Sequence, residues 1–523
     1  MANNVFLDAI IPREDFEVKE ESKSRGSNIN TIAARDLEKD SFFFHSLRKP
    51  DFQRETNEWD PERVVSLIES FLEGDLIPAV ILWKNGASFT FVIDGAHRLS
   101  ALAAWINDDF GDGDISKKFY DGIIPEEQIT LAEKTRNLVR KKIGPFSDFK
   151  LALTNPEKVN EQILEKSKTL GTLAIQVQWV EGDEHKAELS FFKINQKATI
   201  IDKTELKLLK TRRKPNGIAT RAILRSGKGH KYWSAYNTED QEAIQNLAKD
   251  IHNILFTPKL KGPVKTLDLP IGGKTFSAQS QSLILNLVNR VNGIDSIDDG
   301  KIPEDDTGEI TKEYLKKVLR LLQRINSLHP SSLGLHPAIY FYAKDGRYKP
   351  VSFSATIELI MELDKQKKFN WFTKARARFE EFLQNYDYMV QNITRKYRSG
   401  SLAQPHIKNF YMSILEELQT KSVQEAINNI IERKEYSYLT INDENNHIDM
   451  FNEITSNTFN TLRKSEVFFA ESLKNTIKCK ICGAALHINA MTVDHIKRKR
   501  DGGLATVENG QLTHPYCNTT FKN

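Results

Sequence analysis

The stretch CKICGAALHINAMTVDHIKRKRDGGLATVENGQLTHPYCNTTFKN, residues 479–523, holds all three cysteines of the chain. Cys479 and Cys482 form a C-x2-C knuckle, and His514 with Cys517 repeats the spacing as H-x2-C. Three thiolates and one imidazole at that spacing can close a tetrahedral zinc site. A segment this short and this poor in apolar residues needs such a staple to fold. Between the knuckles, TVDHIKRKRDGG reads as an extended run into Asp494-His495 and a turn at Gly502-Gly503, with Asn509 and Asn518 beyond it. The expected order is a strand, a loop and the start of a helix.

This pattern of C-x2-C, D-H-I, G-G, a later asparagine and a final C-N resembles the HNH (ββα-metal) endonuclease family along the whole stretch. The resemblance implies that His495 is the general base that activates water, that Asp494 and Asn518 hold a catalytic Mg²⁺ or Mn²⁺, and that Asn509 keeps the imidazole in a productive tautomer. The residue types suit the chemistry. Phosphodiester scission calls for a base that titrates near neutrality and a hard cation at the phosphoryl and leaving oxygens, and one carboxylate with one amide leaves that cation open to substrate. Two departures stand out: His514 occupies a zinc-ligand position where most zinc-bearing members have cysteine, and Asn509-Gly510 replaces the usual N-L. Neither removes a catalytic group. Lys497, Arg498, Lys499 and Arg500, with Lys478 and Lys480, form a basic collar suited to DNA-backbone contact without sequence choice.

The chain has 523 residues, room for three or four domains, and its 39% hydrophobic and 28% charged content is that of a soluble globular protein. A net charge of +4 is small for this length, so affinity for nucleic acid has to come from local patches. With every cysteine assigned to zinc, none is left for a disulfide, which points to a reducing, cytoplasmic compartment. There is no apolar run of about 18 residues or more, and the opening MANNVFLDAIIPREDFEV is mixed and acidic, unlike a leader. No membrane partner is expected.

Upstream, residues 42–102 read FFFHSLRKPDFQRETNEWDPERVVSLIESFLEGDLIPAVILWKNGASFTFVIDGAHRLSAL. Asp60 is an N-cap with Pro61 at the first helical position, Val64, Val65, Ile68, Phe71 and Leu72 recur at helical spacing, and Gly74 ends the helix. Strands AVILW and FTFVI flank a turn at Asn85-Gly86, a hairpin signal, and Asp94-Gly95 turns sharply into the helix AHRLSALAAW. The set F-Q-R, Trp59, Ile77-Pro78 and I-D-G-x-x-R-L resembles the ParB/sulfiredoxin-like N-terminal domain of GmrSD-type and SspE-type bacterial restriction proteins. In that family the turn reads D-G-Q-Q-R or D-G-Q-H-R; here Ala96 replaces the first glutamine while His97 and Arg98 remain. The resemblance implies an α/β domain that binds a nucleotide, with hydrolysis in several members, through Gln53, Arg54, Asp94, Gly95, His97, Arg98 and Asn195. The turn suits phosphate: Gly95 allows close backbone approach, the helix start offers N–H groups, and Arg98 can fork onto an oxyanion with Arg54 converging. Asn195, with Gln196, reads equally as a nucleotide contact or as a turn cap. Gly111 to Val177 is charged and helical, with a break at Ile143-Gly144-Pro145, and reads as an insertion.

Farther on, Gly272-Gly273-Lys274-Thr275 lacks the spacing of a phosphate loop and reads as an ordinary loop. The polar NGIDSIDDGKIPEDDTGE, near residues 292–309, marks a linker or long loop. EYLKKVLRLLQRINSL, SATIELIMELDKQ, ARARFEEFLQNYDYMVQNITRKY, KNFYMSILEELQ and SVQEAINNIIERK are amphipathic at period 3.6. Phe369, Trp371 and Phe372, near Lys374 and Arg376, read as core aromatics, with base stacking the alternative.

The expected architecture is α+β and multidomain: a ParB/sulfiredoxin-like α/β nucleotide-binding domain with a helical insertion over 1–213, a connecting region over 214–309, a helical domain over 310–465 and a small zinc-stapled ββα-metal HNH domain over 466–523. The expected function is a metal-dependent DNA endonuclease of a bacterial restriction or anti-phage system, regulated by binding or hydrolysis of a nucleoside triphosphate (NTP). Zinc is its structural metal and Mg²⁺ or Mn²⁺ its catalytic one, its partners are DNA and the NTP, and homo-oligomerisation is left open. The alternative is a DNA-binding regulator whose zinc module is only a grip; such a grip has no need of Asp494, His495 and Asn518 together.

Overall fold

Asp60 accepts a hydrogen bond from the Arg63 N–H, Pro61 takes the first helical position, and Gly74 closes the helix in the left-handed conformation. Helix α1 (Pro61–Glu73) therefore runs between the two signals present in its sequence, with Val64, Val65, Ile68, Phe71 and Leu72 on its buried face. The computed structural model describes residues 4–14, 28–50, 53, 56, 58–85, 89–119, 124, 126–183, 186–187, 189–191, 193–194, 207–208, 210–227, 233, 236–274, 278–294, 301–398, 400–439 and 458–521. Arg54, Gly86, Asn195, Gln196 and Thr275 lie outside the described residues. Two units emerge, one of residues 1–213 with 228–235 and one of residues 214–227 with 236–523.

The first unit is built on a mixed six-stranded sheet. Its strands are β1 (Arg13–Glu14), β2 (Thr31–Ala33), β3 (Leu47–Pro50), β4 (Val80–Lys84), β5 (Thr90–Asp94) and β6 (Ala174–Trp179), in the order β1-β3-β5-β4-β6-β2. β4 and β5 pair antiparallel, as their hairpin pattern predicts, while β3 with β5 and β4 with β6 are parallel. Parallel neighbours need long crossovers, which the helices between β5 and β6 supply. The first of these, α2 (Ala96–Ile106), buries Leu99, Leu102 and Trp105. The helices expected after Gly111 are present at Asp114–Phe119, Glu126–Lys142, Phe146–Thr154 and Glu161–Leu170, with the break at Pro145. The end of that segment corrects the insertion reading. Ala174–Trp179 is a strand between β4 and β2, its Ile175 buried and Gln176 exposed in the alternation of a sheet.

The second unit is mostly helical. It includes α3 (Glu309–Ile325), α4 (Phe369–Asn385), α5 (Asp387–Lys396), α6 (Gly400–Glu417) and α7 (Val423–Glu432), with a two-stranded sheet of β7 (Thr492–His495) and β8 (Gly510–Thr513) near its C-terminal end. The single amphipathic run from Ala375 to Tyr397 is two helices, parted at Tyr386. Of the polar stretch before α3, residues 301–308 form a pinned loop. The buried Asp305 accepts from the N–H groups of Gly308 and Thr311 at 2.8 and 2.7 Å, and its carbonyl accepts from the Tyr236 hydroxyl at 2.5 Å. Gly272 lies in a turn, its N–H donating to the Leu255 carbonyl at 2.6 Å.

Candidate active site

The antiparallel β7–β8 ladder sets Thr492 opposite Thr513, Val493 opposite Leu512, Asp494 opposite Gln511 and His495 opposite Gly510. Just past β8, a helical turn over Cys517–Phe521 brings His514 and Cys517 to Cys479 and Cys482, and the four ligand atoms lie within 4.8 Å of one another. The His514 Nε2–H donates to the Ala485 carbonyl at 3.0 Å, because a carbonyl can only accept. That bond fixes the tautomer and aims Nδ1 at the thiols, 3.4 Å from Cys482 Sγ and 3.8 Å from Cys517 Sγ. Burial lowers the His514 pKa and keeps the ring neutral, as a metal ligand must be. The crowded thiols split their acidities: bonds from Cys482 and Cys517 hold Cys479 far down as the thiolate, and the same proximity pushes Cys482 up to about 11 and Cys517 higher. Soft ligands in this number and spacing fit zinc. The apolar core here is small, with Leu486 packed among Cys479, Cys517, Ile481, Met491 and Leu512.

A second support comes from far upstream. The Ala485 N–H donates to Glu380 Oε2 at 2.8 Å, and Glu380 Oε1 accepts from Arg376 Nε at 2.8 Å and from the Tyr340 hydroxyl at 3.2 Å. Arg376 also donates to the carbonyls of Leu333 and Gly334. Both charged side chains, on α4, are buried, at 1% and 3% exposure. Burial opposes the charge on Arg376, and Glu380 together with Tyr340, Cys482 and Cys517 outweighs it and favours the charged form. Around this bracket, Asn326 bonds the buried His487 ring at 3.1 Å, and Tyr516 donates its N–H to the Ser332 carbonyl and its hydroxyl to Asn370. An Arg-x3-Glu pair on an amphipathic helix looks in sequence like a solvated surface pair, so nothing in the letters pointed to this role.

Asp494 and His495 are consecutive on β7, Asp494 buried and His495 half-buried. Gln511, across the ladder, donates from Nε2 to Asp494 Oδ2 at 2.9 Å; the cross-strand register places it there, and sequence reading missed it. The Asn518 amide nitrogen bonds back onto β7, 3.4 Å from both Thr492 Oγ1 and the Val493 carbonyl, which makes its carbonyl oxygen the end available to a cation. The Asn509 side chain holds backbone: Oδ1 accepts from the Lys497 N–H at 2.7 Å, and Nδ2 donates to the Leu504 carbonyl at 2.7 Å and to the Lys497 carbonyl at 3.2 Å. A Cβ on Gly503 would lie 1.9 Å from the Lys497 carbonyl oxygen, so the Gly-Gly turn is what lets the loop close. Lys497, Lys499 and Arg500 are exposed on this loop and Arg498 is half-buried.

In the first unit, Gly95 joins β5 to α2 at φ 97°, and a Cβ there would lie 2.6 Å from Val80 Cγ1. Asp94 and Arg98 flank it as an ion pair, Oδ2 to NH2 at 2.7 Å, with Arg98 also 3.4 Å from the Ala79 carbonyl. His97 stacks on Trp59, ring centroids 5.8 Å apart. Gln53 belongs to a different group: its carbonyl accepts from Arg13 Nε at 3.3 Å, beside the buried Asp8, Arg13 and Lys49 ion pairs. Phe369 and Phe372 are buried, which makes that cluster core, and the Arg324 guanidinium lies 4.6 Å from the Phe369 ring centroid.

Residues 35–214 match the family described as GmrSD restriction endonuclease, N-terminal domain, and residues 479–523 match the HNH endonuclease family. No curated protein and no solved structure matches the chain. The two family matches in one chain support a nuclease of a restriction system, with DNA as the implied substrate. Among the described residues no helix is long and apolar enough to cross a membrane.

Proposed function

We propose that the chain is a metal-dependent DNA endonuclease that hydrolyses phosphodiester bonds at the β7–β8 hairpin, under the control of an NTP held by the first unit. The observation that carries this reading is Asp494 and His495 in succession on β7 with the Asn518 amide reaching back onto the same strand, beside a Cys3His cluster. His495 takes the proton of the attacking water as the new P–O bond forms and the bond to the leaving oxygen breaks. Asp494, oriented by the Gln511 amide, and Asn518, through its carbonyl oxygen, would supply hard ligands to a divalent cation. When bound there, Mg²⁺ or Mn²⁺ would neutralise charge on the phosphoryl and leaving oxygens. Asn509 orients His495 indirectly, by fixing the loop that leaves β7. Lys497, Arg498, Lys499 and Arg500 take the DNA backbone. Cys479, Cys482, His514 and Cys517 hold zinc, which supplies folding energy and takes no part in the chemistry.

In the same reading Asp94, Gly95, His97 and Arg98, with Gln53, Arg54 and Asn195, form the nucleotide site. Arg98 would share its guanidinium between Asp94 and a phosphate. The chain divides functionally into nucleotide-binding residues 1–213, connecting residues 214–309, helical residues 310–465 and nuclease residues 466–523, acting in the cytoplasm. The test is nicking of supercoiled plasmid by the purified protein with Mg²⁺ or Mn²⁺, with and without NTP. His495→Ala is expected to lose roughly 10²–10⁴-fold in rate with zinc content and DNA binding unchanged; cutting at the wild-type rate refutes the assignment.

A further inference from the structure

Apart from the nuclease site, the second unit carries an open cleft of about 380 Å³ with largely aromatic walls. α5 ends on Lys396 and Tyr397, α6 presents His406, Asn409 and Ser413 on one face, and the turn after α7 adds Glu435, Tyr436 and Tyr438. The Tyr397 and His406 rings lie face to face, centroids 3.6 Å apart and 6° from parallel. The Lys396 ammonium is 3.4 Å from the Tyr438 ring centroid and 5.8 Å from that of Tyr397. Tyr436 is buried against Phe410 and forms the floor.

Core aromatics bury both faces, as Phe372 and Phe379 do. Here His406 and Asn409 are exposed and Tyr397 and Tyr438 only half-buried, so ring surface faces an open space. The polar groups at the rim are few and specific in kind: an Asn409 amide that can donate and accept, a Glu435 carboxylate that accepts, and a Lys396 cation. Flat walls with a mixed donor and acceptor edge and a cation beside them match a flat heterocycle bearing N–H groups and tethered to an anion. Arg395, Arg398 and Lys434, next in the chain to Lys396, Tyr397 and Glu435, are exposed and add positive charge that favours a polyanion. A base inside a duplex cannot enter such a cleft; one that is extruded or single-stranded can.

We infer that this cleft receives one unstacked nucleobase of the DNA strand, stacked on the Tyr397–His406 or Tyr438 rings, with Lys396 toward its phosphate. The inference rests on DNA being the substrate. The experiment uses the full chain carrying His495→Ala, so that strands survive, and single-stranded oligonucleotides bearing one 2-aminopurine, titrated by fluorescence at several salt concentrations. His406→Ala and Tyr438→Ala are each expected to weaken binding roughly tenfold, the size of one lost base stack, with the salt dependence unchanged. Lys396→Ala is expected to make the salt slope shallower by about 0.7, one phosphate contact on a single strand. His406→Phe, which keeps a ring, is expected to restore affinity, and this separates stacking from damage to the fold. Unaltered affinity and 2-aminopurine signal in both alanine variants would overturn the inference. So would a mononucleotide that binds as tightly as the strand and is lost in the same variants, since the cleft would then be a free-nucleotide site. A wild type that neither binds nor cuts DNA sinks the nuclease reading itself; a wild type that cuts, with variants that bind normally, sinks only the cleft.

Discussion

The Asp94–Arg98 turn and the Cys479–Cys517 module both hold polar side chains in place, but the forces behind them differ. The turn joins β5 to α2 above a large apolar core that includes Val80, Val92, Leu99 and Leu102, and one ion pair braces its charged groups. The module has few apolar side chains of its own, and what it offers instead are four residues that could hold a metal and a buried bracket from α4. Removing a polar group should therefore alter binding in the first case and folding in the second.

The strongest way to break this contrast is to remove a ligand. Cys482→Ser or His514→Ala should release zinc and unfold the module, because structural zinc contributes on the order of 10 kcal/mol or more to such folds, while the first unit keeps its hydrogen-exchange protection. Metal analysis decides it: one zinc per chain retained in the His514 variant would mean that the fourth ligand is another residue. Next in size is Glu380→Ala, which strands the buried Arg376 and the Ala485 N–H and should cost about 3–5 kcal/mol. The measurement is denaturant unfolding of the second unit with a chelator competition for zinc, and an unchanged metal affinity would show that the bracket supports α4 alone.

Acid should sharpen the contrast more mildly. Burial pushes His336 down to about 3, helped by the adjacent His487, and pushes His487 down to about 4. Their folded pKa values lie below the unfolded one near 6.5, so the unfolded chain binds more protons in between. The stability they contribute is complete above about pH 6.5 and is lost as pH falls toward 4, by about 2 kcal/mol at pH 5 for either histidine. Urea midpoints of the second unit at pH 7.5 and 5 measure the loss, and His487→Gln should reduce it; an identical drop in that variant would assign it to other groups. The smallest effect is expected at the turn. Arg98→Ala should weaken NTP binding by roughly tenfold, the low end for a charge-assisted contact that Asp94 already shares, with thermal stability nearly unchanged. Calorimetry that finds no NTP bound to the wild type would remove the regulatory half of the proposal and leave the nuclease half intact.

Local features were legible and distant ones were not. The limits of α1, the β4–β5 pairing and the start of α2 are written in adjacent residues, Asp60-Pro61, Gly74 and Asp94-Gly95, because caps and turns act over a few positions. The Cys3His cluster was legible for the same reason, its ligands coming as two short pairs. β6 reads as part of a helical segment because its six residues follow four helices, and its place in the sheet depends on partners about a hundred positions away in β4 and more than 140 away in β2. Gln511 on Asp494 and Glu380 on Ala485 depend on strand register and helix docking, neither of which leaves a pattern in the letters. Phe369 and Phe372 are core, as their sequence setting suggests, whereas the half-buried Tyr397 and Tyr438 line an open cleft that no local pattern marks, since burial is decided by neighbours and not by composition.

Ala485 is engaged on both sides of its Cα, its N–H by Glu380 and its C=O by His514. These two groups belong to successive peptide planes hinged at one Cα, so a single pair of backbone dihedrals stands between the helix and the imidazole. Any rearrangement that pulled α4 away would reach the bond that sets the imidazole tautomer through one residue. The amide proton of Ala485 then serves as a clock on the joint, exchanging with solvent only as often as Glu380 lets it go.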